Sequence, residues 1–158
     1  MKNLGKTTVG YLIAIAVPLL VGGLAAAVTG SSMDAYEGMA QPPLSPPAWV
    51  FPVAWTLLYG LMGLASYQIA DSGDPRKIRA LGLYGLQLLV NFLWPVVFFR
   101  WEMPLAALGI LTVLLILVYR MYRQFRDIDS TGGWLILPYL LWLVFALWLN
   151  LGVWWLNR

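Results

Sequence analysis

Five stretches of this chain are apolar over lengths that match a bilayer. They run from Thr8 to Val28, Trp49 to Ala70, Ile78 to Phe99, Pro104 to Tyr119 with the helix continuing to about residue 125, and Trp134 to Trp155. Crossing about 30 Å of hydrocarbon takes roughly 20 helical residues. Barrel strands need only about 10 and alternate in polarity, which these runs do not. With 11% charged residues against about 25% in soluble domains, the chain reads as an integral membrane protein, all-α, a bundle of five transmembrane helices. The links are short after the second span onward, so neighbours are antiparallel and residues 1–158 form one domain. Lys2, Lys6 and Ala25-Ala26-Ala27 also fit a cleavable secretion signal, but the first apolar run exceeds the 7 to 15 residues of such a signal's core, and it is taken as a span.

Lysine and arginine positions orient the bundle. Lys2, Lys6, Arg76, Lys77, Arg79, Arg120, Arg123 and Arg126 fall on one side, Arg100 and Arg158 on the other. The expected topology puts the N-terminus in the cytoplasm and the C-terminus outside, with a bacterial inner membrane as the physical default for helical spans. The same asymmetry accounts for the net charge of +3 without a nucleic-acid partner.

Absences exclude chemistry. The chain has no cysteine and no histidine, which removes thiolate catalysis, His-ligated haem and the usual zinc sites, so no metal site is expected. No Asp, Glu, Lys or Arg lies deep in a span, which disfavours an ion-coupled transporter. No nucleophile elbow or phosphate loop is present.

The aromatics carry the signal. Trp49, Trp101, Trp134, Trp154 and Trp155 lie at span ends, where an interfacial belt is expected. Trp55, Trp94, Trp142 and Trp148 lie at least a helical turn inside, where an indole N–H needs an acceptor. Tyr59 is four residues after Trp55, Asn91 three before Trp94, and Trp142, Ala146 and Asn150 share one line on the last helix. This layer describes either a pocket for a flat apolar ligand or helix packing with Asn91 and Asn150 as interhelical glue. The loop Pro42 to Trp49, running into the second span, reads as the mouth of such a pocket. Pro18, Pro52, Pro95 and Pro138 are candidate kinks and Pro104 a helix start. Gly60, Gly63 and Gly82, Gly85 are small pairs suited to close helix approach.

Three motifs carry a family resemblance: PPAWVFPVAWTLLYG (Pro46 to Gly60), LLVNFLWPVVFF (Leu88 to Phe99) and LILPYLLWLVFALWLN (Leu135 to Asn150). In a five-span chain of this length they resemble the TspO/MBR family of tryptophan-rich sensory and translocator proteins. The resemblance implies a homodimeric five-helix bundle that binds porphyrins such as protoporphyrin IX, requires no cofactor, and in some members binds cholesterol among membrane lipids. It assigns ligand contacts to Trp49, Trp55, Tyr59, Asn91, Trp94, Tyr139, Trp142, Phe145, Ala146 and Asn150, and a loop lid to Tyr36, Pro42, Pro46 and Pro47. Where the family often has an aromatic, a lysine and a tryptophan in the lid, this chain has Ala35, Gln41 and Pro43. In the places of the animal sterol motif it has Leu151 and Trp155. The function implied is a tetrapyrrole receptor or sensor. Alternatives are light- and oxygen-dependent porphyrin degradation, with Trp55 and Trp142 as the oxidised residues, and facilitative transport of porphyrin or lipid.

Overall fold

The computed structural model describes residues 4–30 and 36–158, with residues 4–7 described in backbone alone. Lys2, Ala35 and the side chain of Lys6 lie outside the described residues. Five helices follow in order: α1 Leu4–Thr29, α2 Val50–Asp71, α3 Lys77–Pro95, α4 Pro104–Ile128 and α5 Ser130–Leu156. Each contains a segment long and apolar enough to cross a membrane, so the chain is an integral multi-pass membrane protein.

Packing follows side-chain shape. On α4 the buried residues are Ala107, Leu111, Leu114, Val118, Met121 and Phe125, spaced alternately by four and three, the stripe that keeps one helix face against its neighbours. Ile136, Tyr139, Leu143, Ala146 and Val153 of α5 are buried in the same core. Outward residues such as Leu12, Leu57 and Leu141 are exposed and meet hydrocarbon in a bilayer.

Several ends differ from the apolar runs. Helix α4 continues to Ile128 and α5 begins at Ser130 instead of near Trp134, leaving Asp129 as the link. The Asp129 carboxylate accepts the Gly132 N–H at 2.6 Å and so supplies the cap that starts α5. Polar turns of this kind sit beyond the hydrocarbon, where apolarity no longer marks the helix. Gly133 closes the hairpin: a β-carbon there would lie 2.7 Å from Arg126 Cα.

The prolines act in different ways. Pro104 opens α4 and Pro52 lies in the first turn of α2, where neither breaks a helical hydrogen bond. Pro18 and Pro138 are interior. Pro95 ends the α-helical part of α3, and Val96–Arg100 continues as a wider π turn in which the Trp101 N–H reaches back five residues to the Val96 carbonyl at 3.1 Å. A missing N–H with a crowded carbonyl before it is a recognised cause of such widening. Of the small pairs, Gly63 presses on the backbone of Ala14 and Ile15, joining α2 to α1, whereas Gly60, Gly82 and Gly85 face open space.

Candidate functional site: an aromatic cavity between three helices

A cavity of about 360 Å³ lies among the C-terminal half of α1, the N-terminal half of α2 and the end of α3. Its α1 wall is made of small residues, Gly22, Gly23, Ala25 and Ala26. These create the space by what they lack, since a β-carbon on Gly22 would run into the Tyr59 ring. The opposite wall is aromatic: Trp55 and Tyr59 from α2, Trp94 and Phe99 from α3, with Asn91 between them. Among the described residues no charged side chain lines it.

Trp55 is the hub. Its ring lies 5.5 Å from Tyr59, 6.0 Å from Tyr139, 6.1 Å from Trp94 and 6.4 Å from Trp142, centroid to centroid, within the range of favourable aromatic pairing. Trp142 stands one layer back from the cavity, edge-on to Trp55 and Phe51 and beside Phe145 at 5.6 Å. Its indole N–H is buried without an acceptor among the described residues. Ala146, 5% exposed, is also outside the cavity wall.

The amides are already committed. The Tyr59 hydroxyl donates to Asn91 Oδ1 at 2.6 Å, Asn91 Nδ2 donates to the Tyr139 oxygen at 2.8 Å, and the Tyr139 hydroxyl donates to Gln87 Oε1 at 3.0 Å. Gln87 Nε2 ends the chain at Met62 Sδ, 3.7 Å away. A second network runs from Trp94 Nε1 to Asn150 Oδ1 at 3.0 Å and from Asn150 Nδ2 to the Pro104 carbonyl at 2.8 Å. Buried amides paired in this way fix helix rotation. Gln87 was missed in the sequence, although it stands one helical turn before Asn91 on the same face of α3.

The first loop is strapped to α5 and reaches the cavity wall through Tyr36. Tyr36 is 3% exposed and packs on Phe51 at 5.4 Å and Phe99 at 6.0 Å, two cavity residues. Its hydroxyl is buried without a hydrogen-bond partner among the described residues. Burial pushes the pKa of that hydroxyl up, against a smaller opposing effect of Ser45. Pro42 is buried against Gly152, the Trp148 indole donates to the Pro43 carbonyl at 3.2 Å, and the Asn157 amide pairs with both the N–H and the carbonyl of Ala40 at 3.0 and 2.9 Å. Gln41 donates to the Tyr36 carbonyl at 3.0 Å, so this residue tightens the lid itself. Pro46 is half-buried and Pro47 exposed; the Pro47 carbonyl accepts the Val50 N–H at 3.0 Å and leads into α2.

The structure thus brings Trp55, Tyr59, Asn91 and Trp94 to one cavity. It sets Tyr139, Trp142, Phe145, Ala146 and Asn150 around that cavity's outer shell, and it leaves Trp49 67% exposed outside it. Trp148 shares the depth but faces outward.

Comparison with known proteins agrees over nearly the full chain. The TspO/MBR family model matches residues 14–156. A tryptophan-rich sensory protein of Cereibacter sphaeroides is 36% identical over 129 residues, 80% of each chain. The translocator protein of Bos taurus is 34% identical over 142 residues, covering 87% of this chain and 84% of its own. A translocator protein homologue of Schizosaccharomyces pombe is 42% identical over 130 residues, 77% of each chain. An apolar five-helix bundle, with motifs on α2, α3 and α5 meeting at one aromatic cavity, and matches of this extent establish that the chain belongs to the TspO/MBR family.

Proposed function

We propose that the chain is a membrane receptor that takes a planar, mostly apolar tetrapyrrole of the protoporphyrin type between α1, α2 and α3. The observation that carries this reading is the Trp55 wall, a flat indole grouped with four aromatic rings and facing a cavity of about 360 Å³ whose described lining residues carry no charge. Ligand sites typically measure about 300–1,000 Å³ and combine apolar walls with a few polar groups, and flat faces favour flat partners by offset stacking. Asn91, the wall amide, is occupied by two tyrosines, and the Trp142 N–H and Tyr36 hydroxyl are buried behind the wall, so stacking on the aromatic wall carries the recognition. The names of the relatives, a sensory protein and translocator proteins, support a receptor or carrier role. On the charge asymmetry we place the N-terminus in the cytoplasm of a bacterial inner membrane, and on the resemblance we expect a homodimer.

A dark titration with protoporphyrin IX, following tryptophan fluorescence, tests the reading. Saturable quenching is expected, with a midpoint shifted severalfold in the Trp55→Phe/Trp142→Phe double variant, since phenylalanine keeps most of the volume but loses the N–H and stacking area. Equal midpoints for both proteins would sink it. A second reading, light- and oxygen-dependent porphyrin degradation, is favoured by the oxidisable Trp55 indole on the wall with Trp94 and Trp142 close behind. Irradiation in air and under argon with product analysis separates the two.

A further inference from the structure

The seam between α1, α2 and α3 holds a second cavity, of about 290 Å³, at the opposite end of the bundle. It is walled by Ala14 and Val17 of α1, Ser66, Tyr67 and Ala70 of α2, and Tyr84 of α3. None of these residues lines the aromatic cavity. Gly63, pressed on the Ala14 and Ile15 backbone, pinches the seam between the two.

Three features give this cavity the character of a lipid site. Its walls are almost wholly apolar and are flanked by the exposed side chains of Ile13 and Val17, so in a bilayer it opens to hydrocarbon. Tyr84 is 7% exposed, and its hydroxyl meets the geometry of a hydrogen bond with none of the described residues. The Ser66 hydroxyl beside it spends its own proton on the Gly63 carbonyl at 2.8 Å. A phenolic proton held in an apolar place without an acceptor is unfavourable, and an incoming oxygen relieves it. At the rim, Lys77 Nζ donates to the Ala70 carbonyl at 3.0 Å and to the Ser72 carbonyl at 2.8 Å. An ammonium has three protons, so one remains for an anion beside the wall residue Ala70.

We propose that this cavity binds a single-chain anionic lipid. The alkyl tail lies against α1, an oxygen of the head accepts the Tyr84 proton, and Lys77 is the counter-charge. A fatty acid offers its carboxylate to both groups. A lysophospholipid offers its ester carbonyl to Tyr84 and its phosphate to Lys77.

The test uses the full chain in nanodiscs of neutral phosphatidylcholine, with photoreactive diazirine analogues of palmitic acid and of lysophosphatidylglycerol as probes. Crosslinks are expected on the segments 10–17, 66–70 and 81–84. Tyr84→Phe is expected to raise the half-saturating concentration about three- to tenfold, the worth of one hydrogen bond, and the probe that shows this shift identifies the head group. Lys77→Gln weakens that same probe but not an uncharged monoacylglycerol analogue, and Ala70→Phe, which narrows the mouth, abolishes saturable labelling. Labelling spread evenly over the lipid-facing helices overturns the proposal, as do unchanged half-saturation values in Tyr84→Phe and Ala70→Phe. Protoporphyrin quenching is expected to be the same in wild type and all three variants, so this site and the aromatic one stand or fall separately.

Discussion

Helix α1 is the most apolar of the five spans, yet 11% of its membrane window is buried, against 39% for α5. In water that order would be reversed. Within a bilayer an apolar side chain gains little by leaving lipid for protein, so burial follows shape and hydrogen bonding. The hairpin of α4 and α5 has a regular stripe of interlocking side chains, a tight glycine contact at Gly133 and amides that tie it to α3. Helix α1 touches α2 through glycine contacts at Gly63, Gly22 and Gly10, with little to fill the space between them. Both cavities therefore lie on the α1 side: the hairpin is the scaffold, and α1 is the wall.

The largest expected effect comes from Asn91→Leu, on the scaffold side. It strands the buried Tyr59 hydroxyl, at about 1–3 kcal/mol for a buried group left unpaired, and takes the Asn91 donor from the Tyr139 oxygen, which keeps its bond to Gln87; thermal unfolding in detergent measures it. A change too small to resolve would mean that the polar chain holds nothing.

Next is a matched pair of glycines. Gly133→Ala and Gly63→Ala both force a β-carbon against backbone, and overfilling costs about 1–3 kcal/mol. The full cost is expected at Gly133, where the adjoining turn gives no room, and a smaller one at Gly63, because α1 can move outward into lipid. Equal losses of stability would erase the distinction between scaffold and wall.

Asn157→Ala should have a local effect. It removes two exposed hydrogen bonds to Ala40, and faster amide exchange is expected across the lid residues 39–45 with α4 unchanged. Slower exchange, or loss of protection in α4, would contradict a lid held from α5.

The smallest effect concerns the α2–α3 linker, where hydrogen bonds from the Arg76 side chain and backbone hold the Asp74 carboxyl down to about 2. A lowered pKa stabilises the folded state above the ordinary value of 3.8 and is lost as pH falls through about 2. Linker NMR shifts should therefore stay constant from pH 7 to 4 and move only below that. Movement centred near the ordinary value of 3.8 would show that the Asp74–Arg76 pair does not form.

The spans were legible because hydrocarbon thickness sets their length. The ends were less so, since Ser130 to Gly133 are polar or small and belong to the interface, where the capping carboxylate of Asp129 starts the helix. Depth along each helix brought Trp55, Tyr59, Asn91 and Trp94 together in the reading, but depth says nothing of rotation. Trp148 lies at a similar depth and faces outward to hold the lid. The α1 wall was invisible for a different reason: Gly22, Gly23, Ala25 and Ala26 have no chemistry to notice, and their contribution is volume. Gln87 was overlooked because a lone amide in an apolar run gives no signal until its partner, Tyr139 on α5, is placed across from it.

The π turn after Pro95 sets a register. By fitting extra chain into one turn, it lets Phe98 and Phe99 both contact Trp94, at 5.7 and 6.0 Å, and both contact Tyr36 beneath the lid. It also aims Arg100 at the Val28 carbonyl of α1, 3.0 Å away. Each residue of an α-helix turns the chain by about 100°. Deleting a single residue between Val96 and Arg100 would therefore swing everything after it by that angle, carrying the arginine away from α1 and one phenylalanine off the ring cluster. Side-chain changes along this segment adjust its fit, whereas its length in residues decides which way the mouth of the cavity points.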